Sequence, residues 1–425
     1  MQDTAFQTET WLIYRPDGQY LQATSLLYRV LEHADGRRTL EEIARAAGRQ
    51  TGQDLTAEDV RWLLEERVAP MGLLETGPRW DVEPRPAPQA EKFEPLLGLR
   101  WRAPLIPYRA AAPLTAVLQY LFLPPVVVTV LALAAAGHVW LYGFYPVGQT
   151  VDVVVTEPYT LLLLTLFTLL LRFFHEFGHA SACRRGGVRH GPIGVGLYLV
   201  FPVFYADVSH VYRLNRPQRL RVDLGGVYFE LIGTCVLFAL YALTGSELLL
   251  LMVVGTNLNM VMEFNPFVRF DGYYVFADAI GVPDPLSYAA VYVAGFIPRM
   301  RRRVPRLQLK PAARALFGVY LATVVLFFAY PVATGAIFAP ELVTGVPEQL
   351  HRLGVALADS WRSGDPVLII NNTIQILLLA AFPVGIILFV CLALFRATRA
   401  AVALAFRLVR PRPDGGRSPA ADRPA

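Results

Sequence analysis

The chain has 425 residues, of which 54% are hydrophobic and only 17% are charged, and its mean hydropathy is +0.40. Soluble globular proteins carry about 25% charged residues. This composition therefore excludes an ordinary soluble enzyme and predicts an α-helical polytopic membrane protein.

The first 80 residues predict a small α+β domain of the winged-helix type. Two apolar runs, Trp11–Tyr14 and Tyr20–Ala23, flank Arg15-Pro16-Asp17-Gly18, a pattern typical of a β-hairpin. Helices are predicted from Ser25, from the capping box Thr39/Glu42 and from Thr56, followed by a returning strand at Met71–Glu75.

This segment resembles the PqqD-like family in its hairpin, its Ser25-Leu26-Leu27 helix start, its Asp35-Gly36 break and its Thr39–Ile43 motif. The resemblance covers about 70 residues. It implies a cytosolic domain that recruits a ribosomally made peptide. A structural or regulatory head and a DNA-binding winged helix are the alternatives. Residues 1–80 hold nine arginines and no lysine against thirteen acidic residues, a net charge of −4, which argues against nucleic acid.

Frequent prolines predict a linker over residues 81–113. The membrane-embedded core is predicted over 114–406, and a disordered basic tail over 407–425. Six transmembrane spans are predicted: Leu114–Leu141, Tyr159–Cys183, Leu220–Leu243, Leu248–Phe264, Ala312–Phe338 and Val367–Leu394. Arginines concentrate in loops that face the cytoplasm when the N-terminus does. The pattern predicts a multi-pass protein of the cell membrane with both termini cytoplasmic.

The motif His175-Glu176-Phe177-Gly178-His179 lies near the end of the second predicted span. Histidines four residues apart share one face of a helix, about 6 Å apart along its axis, so both imidazoles can bind one zinc ion. Glu176 is then the candidate catalytic base. Ionisable groups are expensive in lipid, which makes such a cluster a functional site by default.

A catalytic zinc ion needs a third protein ligand, and the chain offers Asp207, Glu230, Glu263, Asp271 and Cys183. Asp271 is favoured, because Asn265-Pro266 and Asp271-Gly272 predict irregular backbone that can present its carboxylate. Cys183 is predicted to be a packed residue, and Asp207 a capping residue.

HExxH on one apolar segment and Asn-Pro followed by Asp-Gly on a later one resemble the site-2 protease family of intramembrane metallopeptidases. The resemblance covers residues 115–285 and is closest to the peptide zinc metalloprotease branch, in which a PqqD-like head precedes this core. It implies that His175, His179 and Asp271 bind Zn²⁺ and that Glu176 is the base. Asn265 is then expected to hold the substrate backbone or the oxyanion.

The segment Gly191–Pro202 alternates glycine with β-formers and predicts a re-entrant hairpin. Its edge at Gly194 and Gly196 is predicted to receive an extended substrate. A connector that only covers the site is the alternative.

Together these patterns predict a zinc metalloendopeptidase that cuts a membrane-associated or ribosomally made peptide, with an exporter or a peptide-modifying enzyme as further partners. One alternative is a non-catalytic membrane subunit that hands peptides on. Another is a protease that releases a membrane-bound transcription regulator.

Overall fold

The computed structural model describes residues 10–14, 20–69, 73, 100–146, 158–198, 201–282, 284–294, 296, 309–337 and 339–409. These residues are mostly helical, with two small antiparallel sheets. The predicted tail lies outside them except for residues 407–409, which end the last helix.

The N-terminal residues form a hairpin followed by three helices. They are β1 Thr10–Tyr14, β2 Tyr20–Thr24, α1 Ser25–His33, α2 Leu40–Thr51 and α3 Ala57–Leu63, the last extended by a π-helical turn over Leu64–Val68. Thr39 and Thr56 each accept a hydrogen bond from the backbone of their helix in the predicted capping positions. The apolar faces of the three helices meet around Val30, Ala47 and Val60, which are fully buried. The predicted strand Met71–Glu75 lies outside the described residues apart from Leu73.

The following part of the chain contains three strands and most of the helices. The strands are β3 Arg100–Ile106, β4 Ile193–Tyr198 and β5 Phe201–Ala206. The helices are α4 Tyr108–Leu118, α5 Pro124–Phe144, α6 Pro158–Arg185, α7 Arg216–Asp223, α8 Gly225–Thr244, α9 Glu247–Glu263, α10 Asp271–Ile280, α11 Pro285–Ala294, α12 Pro311–Ile337, α13 Ala339–Ser363 and α14 Pro366–Val409.

Four helical segments among the described residues are long and apolar enough to cross a membrane: Pro124–Phe144, Thr160–Arg185, Gly225–Thr244 and Pro366–Gly385. The predicted count of six is not confirmed. The fourth predicted span is α9, which has 17 residues and includes two asparagines. The fifth lies in α12, Pro311–Ile337, in which Pro311–Phe327 form an apolar stretch.

Proline and glycine divide two of the predicted spans. Pro124 occupies the first turn of α5, so the preceding residues form the separate helix α4 and a 3₁₀ turn. The third predicted span is divided at Leu224, where α7 ends and α8 begins. This second break matters for the site, because it places backbone carbonyls of α7 beside α6.

Strand β3 corrects the predicted linker. Residues 100–106 pair with β4, and β4 pairs on its other side with β5, so the sheet order is β3-β4-β5. Proline-rich sequence usually disfavours strands, but β3 lies at an edge, and its register shifts between Pro104 and Ile106. The last part of the predicted linker is therefore folded against the membrane core.

Helices α6 and α8 cross in backbone contact. A Cβ added to Gly178 would lie 2.7 Å from the carbonyl carbon of Gly225, and one added to Gly225 would lie 2.8 Å from the carbonyl oxygen of Gly178. Glycine at both positions lets the two helices approach closely, as small residues do between membrane helices. This crossing fixes α6 next to the residues that surround its histidines.

Candidate metal centre

His175, Glu176 and His179 lie on α6, one turn from the α6–α8 crossing, and all three side chains are buried. Burial of three ionisable groups within a candidate transmembrane helix requires polar partners. Those partners come from α7, α8, α10 and β5.

Asp271 is delivered to the two histidines by the turn that follows α9. Asn265 Oδ1 accepts a hydrogen bond from the Phe267 N–H at 2.9 Å, and the chain then turns back to begin α10 at Asp271. Gly272 permits this path, because a Cβ there would lie 2.7 Å from the Cα of Phe264. The irregular backbone predicted around Asn265-Pro266 therefore presents Asp271 from the first turn of a helix.

Three donor atoms converge at this point. Nε2 of His175 lies 3.0 Å from Nε2 of His179, and Oδ2 of Asp271 lies 3.1 Å and 3.2 Å from these two nitrogens. Among the described residues, this trio forms the group of histidine, cysteine and acidic side chains placed to hold a metal ion.

The other ring nitrogens indicate that both Nε2 atoms present lone pairs. His179 Nδ1 lies 2.7 Å from the carbonyl oxygen of Val222, which can only accept, so Nδ1 carries the proton. His175 Nδ1 lies 3.2 Å from Oε1 of Glu230, an acceptor when ionised. The tautomers are assigned from these neighbours.

A divalent cation fits this triangle. Zinc bonds of about 2.0–2.1 Å at tetrahedral angles place donor atoms about 3.3 Å apart, close to the three observed separations. Two lone pairs and a carboxylate oxygen at such distances repel one another. A single proton could form a hydrogen bond along only one side of the triangle that the three atoms make. Asp271 Oδ2 is buried and has no hydrogen-bond partner among the described residues. Two histidines and a carboxylate form a common catalytic zinc set.

Glu176 is adjacent to the triangle and faces the same cavity. The backbone N–H of Ala206, the last residue of β5, faces its carboxylate. The strand thus ends at the candidate base, which places an extended backbone beside the proposed metal site.

The cavity has a volume of about 820 Å³ and reaches from α6 to the turn between α9 and α10. Among its lining residues are Arg102 on β3, Arg172 on α6, Asn259 on α9, Arg269 and Tyr274. A cavity of this size is large enough for a short stretch of peptide.

A carboxyl pair joins α7 to α10 at one wall of this cavity. Burial, followed by the neighbouring Asp278 carboxyl, raises the pKa of the Asp223 carboxyl well above its usual value, which favours its protonated form. Arg219, which is 1% exposed, bonds Asp278 Oδ1 at 2.8 Å. These contacts hold α7, whose Val222 carbonyl bonds His179, against α10, which begins with Asp271.

Glu230 and Glu263, which were candidates for the third zinc ligand, lie outside the group of three donors and instead contact Arg172, a residue to which the sequence gave no role. Arg172 Nη1 lies 3.2 Å from Glu230 Oε1 and 2.6 Å from Glu263 Oε1. Arg172 precedes His175 by about one helical turn, which is the signal that could have related it to the motif. The position of Glu230 depends on the α6–α8 crossing, which local sequence does not reveal.

The other predicted site residues are placed differently from expectation. Gly194 and Gly196 lie on β4, the central strand, which is paired on both sides, so their strand offers no open edge. A Cβ on Gly194 would lie 3.0 Å from the carbonyl carbon of Ala103, a packing reason for glycine. Asn265 does not line the cavity, and its Oδ1 stabilises the turn.

Two further residues weighed as zinc ligands take up the positions expected of them. Cys183 is fully buried in the apolar cluster between α6 and its neighbours. Asp207 Oδ1 accepts hydrogen bonds from the backbone N–H and the hydroxyl of Ser209.

Comparison with known proteins finds a partial similarity to one protein named as a peptide zinc metalloprotease. A segment of 117 residues is 25% identical to the "Putative peptide zinc metalloprotease protein YydH" of Bacillus subtilis (strain 168). The match covers 27% of this chain and 46% of that protein, about half its length. No protein-family profile and no solved structure matches the chain.

Proposed function

We propose that the protein is an intramembrane zinc metallopeptidase of the site-2 type. The observation that supports this most is the convergence of His175 Nε2, His179 Nε2 and Asp271 Oδ2 within 3.2 Å of one another beside Glu176. Similarity to a protein named as a peptide zinc metalloprotease and the apolar helix that holds the motif support the same reading.

In this proposal His175, His179 and Asp271 hold the metal. Zinc, when bound, acidifies water and polarises the scissile carbonyl. Glu176 accepts the proton of the attacking water and transfers it to the leaving amine, as a general base that becomes a general acid. The Ala206 N–H lies beside the Glu176 carboxylate, where it can donate to it and orient it for both transfers.

The substrate lies along β5 in this proposal. Asp207 exchanges backbone hydrogen bonds with Gly191 and Pro192 on the β4 side. Because alternate residues of a strand point to opposite sides, the backbone groups of Tyr205 also face β4, whereas those of Phe204 and Ala206 face the other way. This free edge borders the cavity and can accept one extended strand of an unwound substrate.

The N-terminal helices and hairpin supply peptide recruitment in the same scheme. Their charge suits a peptide better than a nucleic acid, and a short hairpin has an edge available for strand addition. We place this domain and both termini on the cytoplasmic side, where the arginine-rich loops are expected. The lipid bilayer and either an exporter or a peptide-modifying enzyme are the further partners in this proposal.

The decisive variant is Glu176→Gln, tested in proteoliposomes with a mixture of ribosomal precursor peptides and transmembrane-segment peptides. Wild type is expected to bind one equivalent of zinc and to give products visible by mass spectrometry. Glu176→Gln should retain zinc and lose at least about 10²-fold in cleavage rate, because general base catalysis contributes that much. Asp271→Ala is expected to lose zinc and cleavage together.

Cleavage by Glu176→Gln at the wild-type rate would refute the catalytic assignment. Zinc binding without cleavage of any peptide by wild type would instead favour a non-catalytic subunit that hands peptides on. Selective cleavage of the transmembrane segment of a transcription regulator would favour regulated release.

A further inference from the structure

Glu230 is a fully buried carboxylate on α8, and no step of the proposed hydrolysis uses it. It is 1% exposed and lies within a helix apolar enough to cross a membrane. An ionised carboxylate in such surroundings is costly unless it is paired, so its presence calls for a specific role.

The contacts of Glu230 are directed at the metal site. Its Oε1 lies 3.2 Å from Nδ1 of His175 and 3.2 Å from Nη1 of Arg172. The 3.2 Å contact with Nδ1 is within hydrogen-bond distance but is not aligned as a hydrogen bond, and neither Nδ1 of His175 nor Oε2 of Glu230 has another partner among the described residues. The imidazole and the carboxylate are therefore the polar groups available to each other.

We infer that Glu230 is a positioning residue, which accepts a hydrogen bond from His175 Nδ1 and thereby presents Nε2 to the metal. Arg172 secures Glu230 by also bonding Glu263 at 2.6 Å, so the arginine links α8 to α9. The same pattern of a histidine ligand backed by a carboxylate fixes the ring and its tautomer in zinc proteins generally. Val222 provides the equivalent contact for His179 through a backbone carbonyl.

The charges of the site are consistent with this arrangement. Three carboxyl groups, those of Glu176, Glu230 and Asp271, lie beside the two histidine rings, and a divalent cation bound there would offset part of their negative charge. Glu230 thus adds to the attraction for a cation while it orients one of the ligands.

This inference rests on the proposed zinc site, and its test is zinc affinity rather than cleavage. Glu230→Gln, in the purified full-length protein, is expected to raise the zinc dissociation constant 10- to 100-fold in competition with a chelator, the range typical of such partners. Glu263→Gln is the matched control. This variant removes a carboxylate that contacts the same Arg172 but does not contact His175. It should change the dissociation constant by less than about threefold.

A second measurement distinguishes positioning from loss of charge or of fold. The visible spectrum of the cobalt-substituted protein should change in Glu230→Gln and stay as in wild type in Glu263→Gln, since only the first frees the His175 ring. If Glu230→Gln does not fold, Glu230→Asp keeps the charge but withdraws the carboxylate by one methylene, and it should also weaken zinc.

Equal effects of Glu230→Gln and Glu263→Gln on zinc affinity, or no effect of either, would overturn the inference. If Glu230→Gln fails to fold, wild-type zinc affinity in Glu230→Asp would overturn it. In each of these cases wild type and Glu176→Gln still bind zinc, so the proposed function stands. Absence of zinc binding by wild type would overturn both.

Discussion

Gly226 on α8 allows a sharp test of the metal centre, because it packs directly against the ring of His175. A Cβ built on Gly226 would lie 2.5 Å from Cδ2 of His175 and closer still to Cε1 and Nε2. Carbon atoms pack at about 3.5–4.0 Å, so Gly226→Ala must displace the ring by about 1 Å or more. Zinc ligands tolerate about 0.2 Å.

The predicted outcome is loss of the metal with retention of the fold. The clash falls on the end of a side chain, which can rotate away, whereas the α6–α8 backbone contact at Gly178 and Gly225 is untouched. Zinc affinity should fall at least about 100-fold, beyond the usual effect of losing an outer partner. Cleavage should fall by at least about 10²-fold, as expected for a misplacement of about 1 Å.

Gly233→Ala is the matched control on the same helix. Its added Cβ would lie 2.6 Å from Cδ1 of Leu171, a flexible apolar group that can move without affecting a ligand. Zinc content by mass spectrometry, the cobalt spectrum and the melting temperature in detergent should be measured for both variants. Wild-type zinc binding by Gly226→Ala would refute the placement of His175, as would equal loss of zinc in both variants.

Two other predictions concern the cavity walls. Phe204→Pro removes an N–H from the free edge of β5 and should reduce peptide cleavage while zinc content is unchanged. Phe204→Ala keeps the N–H and should preserve most of the activity. Equal activity of the two variants would argue against strand addition. The raised pKa of the Asp223 carboxyl stabilises the folded state below its unfolded pKa of about 4. This stabilisation is lost as pH rises through the folded pKa, so Asp223→Asn should flatten the decline of melting temperature with pH. An unchanged pH profile would show that the buried Asp223 carboxyl does not cause that decline.

Sequence alone predicted the part of the site that local spacing defines. The i, i+4 relation of His175 and His179 specifies one helical face, and the Asn265-Pro266 and Asp271-Gly272 pairs specify a break in an apolar segment. Both features depend on a few neighbouring residues. The structure accordingly brings the predicted ligands together.

The parts that sequence missed depend on tertiary contacts or on the backbone. The carbonyl of Val222 leaves no compositional signal, and it reaches His179 only because the chain breaks at Leu224. Strand β3 was read as linker, because its prolines hide a pairing with β4 that is distant in sequence. Six spans were predicted from apolar length, but α9 has 17 residues and contains Asn257, which donates to the Tyr142 hydroxyl, and Asn259, which lines the cavity.

The close approach of Gly178 to Gly225 allows the outer surface of α6 to change in sequence without moving the helix. The histidine-bearing helix is located by main-chain contact rather than by its exposed leucines, which include Leu163, Leu166 and Leu170. Those outward side chains are free to adapt to acyl chains of different thickness and fluidity. Changes in these side chains would therefore leave the histidines on the opposite face of the same helix in place.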